Sequence, residues 1–221
     1  MRSSPVSRTR VAILISGRGS NMMSLLEAAK APGFPAEIVT VISNRPDAQG
    51  LARAQAAGVP ALGIDHKAYP NRESFDAALD AALREARVGI VCLAGFMRLL
   101  TPRFTESWSG RMINIHPALL PSFKGLHTHE RALEAGVKIH GCTVHFVTAE
   151  MDVGPIIMQA AVPVLEGDTP ERLGARVLTQ EHVIYPAALR LVCEGRARIA
   201  GERVAVDEFE VATQALVVPG A

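Results

Sequence analysis

The chain predicts a doubly wound α/β fold, a mostly parallel sheet with helices on both faces, and three observations carry that prediction. From Val11 onward, apolar runs of strand length alternate with longer stretches of helical period. The runs have no polar face, which is the condition of strands covered on both sides in a parallel sheet. After Ile115 the pattern changes: two β-like runs follow each other across a short turn-forming segment, so the sheet gains an antiparallel extension.

Residues 1–10 are polar and broken by Pro5, so a flexible segment is expected there and order is expected to begin at Val11. Strands are expected over 11–16, 37–42, 59–64 and 88–93, with helices over 20–31, 47–58 and 72–86 between them. Arg111-Met112-Ile113 is a further strand-like run, just ahead of the extended Asn114-Ile115-His116. Runs 140–147 and 156–164 are the antiparallel pair, joined by 148–155. Thr169, Pro170 and Glu171 supply an N-cap, a first-turn proline and an early acid for a long helix that reaches about residue 194 and stops at Gly195. The tail, 195–221, carries short β-like pieces and ends in Pro219-Gly220. No repeat, linker or low-complexity segment divides 11–221, so a single domain is expected.

A chain of 221 residues with 48% hydrophobic content is long enough to bury one substantial core. The net charge of +1, with both signs interspersed, gives no basic stripe for nucleic acid or an anionic membrane, so any anion recognition is local. The first apolar run, 11–15, is shorter than a signal-peptide core or a membrane span, and a soluble cytoplasmic protein is expected. Cys92, Cys142 and Cys193 form neither a CxxC pair nor an even set, which argues against a disulfide framework or a zinc knuckle. Cys92 lies inside an apolar run and reads as a packed thiol.

Gly17-Arg18-Gly19-Ser20-Asn21 follows the first strand and opens the first helix, where unpaired amides and the helix dipole favour an anion such as phosphate. Ser20 and Asn21 add a hydroxyl and an amide, which can instead serve as helix caps. Met22 stands where a dinucleotide fingerprint needs glycine or alanine, and the second strand ends in Ser43-Asn44 rather than an acid, so NAD is not expected.

Asn114 and His116 lie two residues apart on an extended segment and therefore project to one side. An amide and an imidazole so placed can address one carbonyl as it becomes a tetrahedral oxyanion. Asp152, in the turn-forming Glu150-Met151-Asp152-Val153-Gly154-Pro155, offers a carboxylate that can fold back to the imidazole. These three are the candidate catalytic residues, for acyl transfer without a covalent enzyme intermediate. His127, His129 and His145 lack metal-site spacing and no metal is expected; His127 is a candidate pocket residue.

Eight motifs stand in order along residues 10–195. They are Ile15-Ser16-Gly17-Arg18-Gly19-Ser20-Asn21, Leu93-Ala94-Gly95-Phe96-Met97-Arg98, Ile113-Asn114-Ile115-His116-Pro117 and Leu119-Leu120-Pro121. Gly125-Leu126-His127-Thr128-His129, His145-Phe146-Val147, Asp152-Val153-Gly154-Pro155-Ile156 and Gln180-Glu181-His182-Val183-Ile184-Tyr185-Pro186 complete the set. The set resembles the phosphoribosylglycinamide formyltransferases, folate-dependent enzymes of purine biosynthesis.

The resemblance implies a formyltransferase fold and formyl transfer from 10-formyltetrahydrofolate to the amine of glycinamide ribonucleotide. It implies that Gly19, Ser20 and Asn21 hold the substrate phosphate. Leu178, Thr179, Gln180 and Glu181 are its further substrate contacts, with Glu181 accepting from ribose hydroxyls. One wall of the folate pocket would be Met97, Arg98, Leu99 and Leu100, and another Thr148, Ala149, Glu150, Met151 and Asp152. Asn114 also faces the folate, and Arg72 matches an arginine near its carboxylate tail. Arg18, Ala118 and Ser122-Phe123-Lys124 fall at variable positions and receive no role.

Three other readings compete. A 10-formyltetrahydrofolate hydrolase would use the same Asn, His and Asp set on water, but its family carries an extra N-terminal regulatory domain and has no use for the phosphate loop. Formylation of initiator tRNA calls for a C-terminal RNA-binding domain and a basic surface. A noncatalytic phosphate- or folate-binding module would have no need of Asn114, His116 and Asp152 together. A monomer or weak symmetric dimer is expected.

Overall fold

The computed structural model describes residues 8–208 and 216–218. β1 (Thr9–Ile15), β2 (Ala36–Ser43), β3 (Ala61–Gly63), β4 (Ile90–Leu93) and β5 (Met112–His116) are parallel neighbours, and β6 (Ile139–Phe146) and β7 (Ile156–Pro163) extend the sheet antiparallel. The strand order is β3-β2-β1-β4-β5-β6-β7. The helices are α1 (Ser20–Lys30), α2 (Gln49–Ala56), α3 (Arg72–Glu85), α4 (Pro102–Ser107), α5 (Thr128–Glu134) and α6 (Pro170–Cys193). A doubly wound, mostly parallel sheet is therefore what the chain forms.

The two-residue period of β1 shows how the sheet is covered. Val11, Ile13 and Ile15 enter one core with Leu25 and Leu26 of α1 and Val177, Tyr185 and Leu189 of α6. Ala12 and Leu14 enter a second core with Phe75, Leu79 and Leu83 of α3 and Phe104 and Trp108, at and just beyond α4. Residues 11–15 have no exposed surface, and each large aliphatic among them contributes about 1.5–3 kcal/mol by leaving water.

The helix starts follow local chemistry. Asn71 Oδ1 accepts from Ser74 N at 2.8 Å ahead of α3, and Thr169 Oγ1 accepts from Arg172 N at 3.3 Å ahead of α6, where Pro170 takes the first turn.

Several boundaries differ from expectation. β1 begins at Thr9, inside the segment expected to be flexible, because Thr9 N donates to Pro35 O at 2.7 Å and Thr9 pairs with Ala36; residues 1–7 lie outside the described residues. The strand expected over 59–64 is only β3, an edge strand of 3 residues whose last, Gly63, lies close against Pro46. α2 is shorter at both ends than 47–58. α4 and α5, of 6 and 7 residues, were not expected: neither is long enough to show a period, although Thr101-Pro102 is a start signal, with Thr101 Oγ1 accepting from Phe104 N at 3.3 Å. In the tail, β8 (Ala197–Ala200) and β9 (Arg203–Val206) form a separate antiparallel pair. Pro219-Gly220 lies outside the described residues.

Tyr185 locks α6 onto the sheet. It is fully buried, and its hydroxyl lies 2.9 Å from Leu93 O, at the end of β4, and 3.2 Å from Ile113 O, within β5. Tyr185→Phe leaves both carbonyls without that donor while keeping the ring. The expected cost is about 1–2 kcal/mol, or roughly 2–4 °C in Tm per kcal/mol for a chain of this size. Thermal unfolding of the variant checks it; an unchanged Tm would remove Tyr185 from this role.

Candidate active site

In a parallel sheet every strand delivers its C-terminal end to the same edge, and ligands sit where neighbouring connections diverge. Here that place is between β1 and β4, whose connections run to opposite faces. A cleft of about 500 Å3 opens there, lined by the loop after β1 (Ser16 to Asn21), the segment after β4 (Ala94, Gly95, Met97, Arg98), and Asn44, Arg45 and His66.

The loop after β1 presents amides rather than a side-chain cap. Gly19 is the residue before α1, at φ +71°, a left-handed conformation that glycine adopts without strain, and no side chain of Ser20 or Asn21 caps the helix. Asn21 instead turns to α6: its Nδ2 donates to Glu181 Oε2 at 2.7 Å. Burial raises the Glu181 carboxyl above the usual carboxylate range, and the Asn21 bond offsets part of that. Of the four residues 178–181, Glu181 is the one hydrogen-bonded to this loop. Thr179 is exposed and donates to Ala175 O at 2.9 Å within its own helix.

Beyond the cleft, at the end of β5, Asn114, His116 and Asp152 converge. His116 Nδ1 lies 3.4 Å from Asp152 Oδ2, and both side chains are buried. Asp152 is held in the left-handed region at φ +55°, which swings its carboxylate from the β6–β7 turn back toward β5. Gly125 N donates to the same oxygen at 2.8 Å and anchors it. The turn closes tightly because Gly154 lies against Phe146: a Cβ there would sit 1.7 Å from Phe146 O, so only glycine fits.

The other His116 nitrogen, Nε2, faces Phe123 O at 3.0 Å. A carbonyl only accepts, so Nε2 carries a proton. Residue 123 thus takes part through its main chain, which its identity does not reveal. The same holds for Ala118, whose carbonyl accepts from Thr143 Oγ1 at 2.7 Å.

His145 and Thr143 join the site unannounced. They are the cross-strand partners of Asn114 and His116. His145 Nδ1 faces Phe146 O at 2.9 Å and so carries the proton, which leaves Nε2 to accept from Asn114 Nδ2 at 3.1 Å. Burial lowers the His145 pKa and favours this neutral ring, while the Phe146 carbonyl and Asp152 oppose that shift. The Asn114 amide is thereby oriented, with one N–H spent on His145 and one left. Thr143 also accepts from Leu120 N at 3.0 Å and Gln159 Nε2 at 2.9 Å, which fixes the loop leaving His116. A polar pair at period two inside a buried strand is the signal that marks 143 and 145, the same signal that marks 114 and 116.

The remaining candidates are spread around this edge. Met97 and Leu99 are exposed, at 71% and 50%, while Arg98 lies over the Phe75 ring at 4.6 Å and Leu100 packs on the second core. Thr148, Ala149, Glu150 and Met151 form the exposed turn ahead of Asp152. Arg72 is exposed at the first turn of α3, outside the cleft lining. His127 points to solvent and pairs with Glu130 at 3.4 Å rather than entering the pocket. Among the described residues no group of three His, Cys, Asp or Glu side chains could hold a metal ion, and no helix is long and apolar enough to cross a membrane. Cys92 is buried and its thiol is pushed well above its ordinary range.

Residues 9–189 match the family model described as formyl transferase. The chain belongs to the formyl transferase family. This family member is 44% identical to the phosphoribosylglycinamide formyltransferase of Escherichia coli strain K12 over 189 residues, 86% of this chain and 89% of that protein. It is 53% identical over 192 residues, 87% of its length, to the trifunctional purine biosynthetic protein adenosine-3 of Bos taurus, and spans 19% of that longer protein. The crystal structure of glycinamide ribonucleotide transformylase 1 from Symbiobacterium toebii superimposes with a TM-score of 0.88 at 53% identity, covering 90% of this chain and 94% of that one.

The 116–129 loop rests on a second histidine pair. His129 Nδ1 lies 3.3 Å from His140 Nε2, and Phe123 packs edge-on against His140. Burial, with His129 beside it, pushes His140 down to about 4, and burial lowers His129 as well. An unfolded histidine binds its proton near pH 6.5, so between about 6.5 and 4 the unfolded chain holds protons that the folded one refuses. Stability contributed by these rings is therefore present above pH 6.5 and lost as pH falls toward 4. Denaturant unfolding from pH 7.5 to 4 should show a shallower loss in His140→Gln than in the parent, a comparison in which the opposite effect of Glu181 cancels. Parallel curves would remove His140 from this linkage.

Proposed function

We propose that this protein transfers the formyl group of 10-formyltetrahydrofolate to the amine of 5′-phosphoribosylglycinamide, yielding the formylated ribonucleotide and tetrahydrofolate in de novo purine biosynthesis. The observation that carries the reading is a spacing. The amide-lined loop after β1 and the Asn114, His116 and Asp152 set at the end of β5 share one sheet edge with β4 between them. Two strand separations place them roughly 10 Å apart. That suits a substrate with a phosphate at one end and a reacting amine at the other. Glu181, tied to Asn21, stands beside the loop where a ribose would lie.

In this reading the loop amides of Gly19, Ser20 and Asn21 take the phosphate, and residues 97–100 and 148–152 enclose the folate. Arg72, a cation at a helix start where the dipole disfavours it, is available to the folate carboxylates. The amine nitrogen attacks the formyl carbon, and the carbonyl electron pair moves to oxygen. The free N–H of Asn114 donates to that oxyanion, and the His116 Nε2–H exchanges Phe123 O for it. Asp152 supplies the counter-charge to the ring and accepts, through water, the proton leaving the amine. Collapse of the intermediate breaks the bond to the folate nitrogen, which takes up through the same water the proton that Asp152 had accepted.

Purified protein assayed with 10-formyl folate, with and without the ribonucleotide, tests the reading. Folate product is expected only with the ribonucleotide, and His116→Ala should lower kcat by about 10²–10⁴. Product formed equally without ribonucleotide means a hydrolase, and none with either means a binding module. His145→Leu, which cannot accept from Asn114, should lower kcat on the order of tenfold with the KM values near those of the parent. A His145→Leu enzyme with parental kcat would show that Asn114 needs no such support.

A further inference from the structure

Ser16 follows β1, belongs to the motif of the phosphate loop, and has no part in the reaction just described. It is buried, 6% exposed, and its N–H and hydroxyl are spent on two other segments of the chain. Its N–H donates to Gly95 O at 3.1 Å. Its hydroxyl accepts from Met97 N at 2.7 Å and donates to Asn44 Oδ1 at 2.6 Å. Asn44, 3% exposed, in turn holds His66 through its carbonyl, which faces His66 Nδ1 at 2.7 Å. The 3.3 Å approach of Asn44 Nδ2 to the same ring nitrogen is not a second bond, because that nitrogen's proton is already directed at the closer carbonyl.

Gly17, the next residue, is pinned from the other side, where Gly50 N donates to Gly17 O at 3.0 Å. The segment after β4 is likewise pinned at its far end, where Thr101 N donates to Asp76 Oδ2 at 2.7 Å. Between these anchors Met97 stands exposed in the cleft lining and Leu99 is half exposed, while Phe96 and Leu100 pack on the second core and Arg98 lies over Phe75. The near anchor of that wall is the Ser16 hydroxyl.

We infer that Ser16 is a positioning residue: its hydroxyl holds the wall segment 95–100 against the phosphate loop, so that the folate and the ribonucleotide keep one fixed spacing. The inference rests on the function proposed above for its kinetic consequence, and on geometry alone for its structural one. A donor–acceptor hydroxyl in a chain of hydrogen bonds strengthens both partners. Its loss leaves Met97 N and Asn44 Oδ1 without their bonds. The reacting groups on β5 and Asp152 are untouched by that loss.

The test compares the parent, Ser16→Ala and Ser16→Thr as full-length chains, reading kcat, the KM for 10-formyl folate, Tm, and hydrogen exchange at the Met97 amide. Ser16→Ala is expected to raise the donor KM about tenfold with kcat within about twofold, and to speed Met97 exchange by about tenfold. Ser16→Thr, which keeps the hydroxyl, is expected to restore both. A lowered Tm with parental donor KM and parental Met97 exchange would mean a merely structural serine and overturns the inference, as does a kcat loss at unchanged KM. If Ser16→Ala does not fold, Ser16→Cys, a weak donor and acceptor, takes its place with the same outcomes. A parent without transfer activity would sink the proposed function, while Met97 exchange in the variants would still decide whether Ser16 holds the wall.

Discussion

Two-sided burial of the central strands is the constraint on which everything else depends. Residues 11–15 of β1 have no exposed surface, and their alternate side chains feed two separate cores. A strand covered on both faces needs helices on both, and parallel strands with helical crossovers are how a chain supplies them. The same geometry sends the C-terminal ends of β1, β4 and β5 to one edge, so the glycine loop after β1, the segment after β4 and Asn114 become neighbours although they are far apart in sequence.

The site needs more than that edge, and the antiparallel extension provides it. Pairing β6 with β5 sets His145 opposite Asn114 and Thr143 opposite His116. Each cross-strand partner then does for its neighbour what a lone side chain cannot. His145 fixes the amide through a tautomer dictated by Phe146 O, and Thr143 braces the loop that returns Phe123 O to His116. The turn after β6 brings back Asp152, whose left-handed backbone is sustained by Gly125 N and by the close approach of Gly154 to Phe146. A non-glycine residue there costs roughly 1–2 kcal/mol, met by the hydrogen bond to its carboxylate. Local strain of this kind is tolerated where a carboxylate must face one ring nitrogen and not the solvent.

Much of the architecture was legible in the chain because it is written in period and punctuation. The alternation of buried runs with helical stretches gave β1, β2 and β4 and the helices between them. Thr169-Pro170 marked the start of α6, and the break after Ile115 marked the antiparallel strands. The short elements were not legible: α4 and α5 span too few residues to display a period, and His127 opens α5 from a left-handed conformation without a side-chain cap. Thr9 joined β1 because Pro35 O was in reach, which is a fact about a residue 26 positions away.

The sequence by itself determined which chemically able side chains this protein carries: a glycine turn with Ser20 and Asn21 at a helix start, and Asn114, His116 and Asp152 in segments able to meet. Side-chain type and spacing along one element decide such things, and both are visible in the chain. Only the tertiary structure decided what those groups touch. It sent Asn21 to Glu181 rather than to a cap, directed His127 to solvent, gave Phe123 a part through its carbonyl, and made Ser16 the joint of three loops. The physical reason is that main-chain donors and acceptors are the same at every residue, so their partners are set by where the folded chain places them.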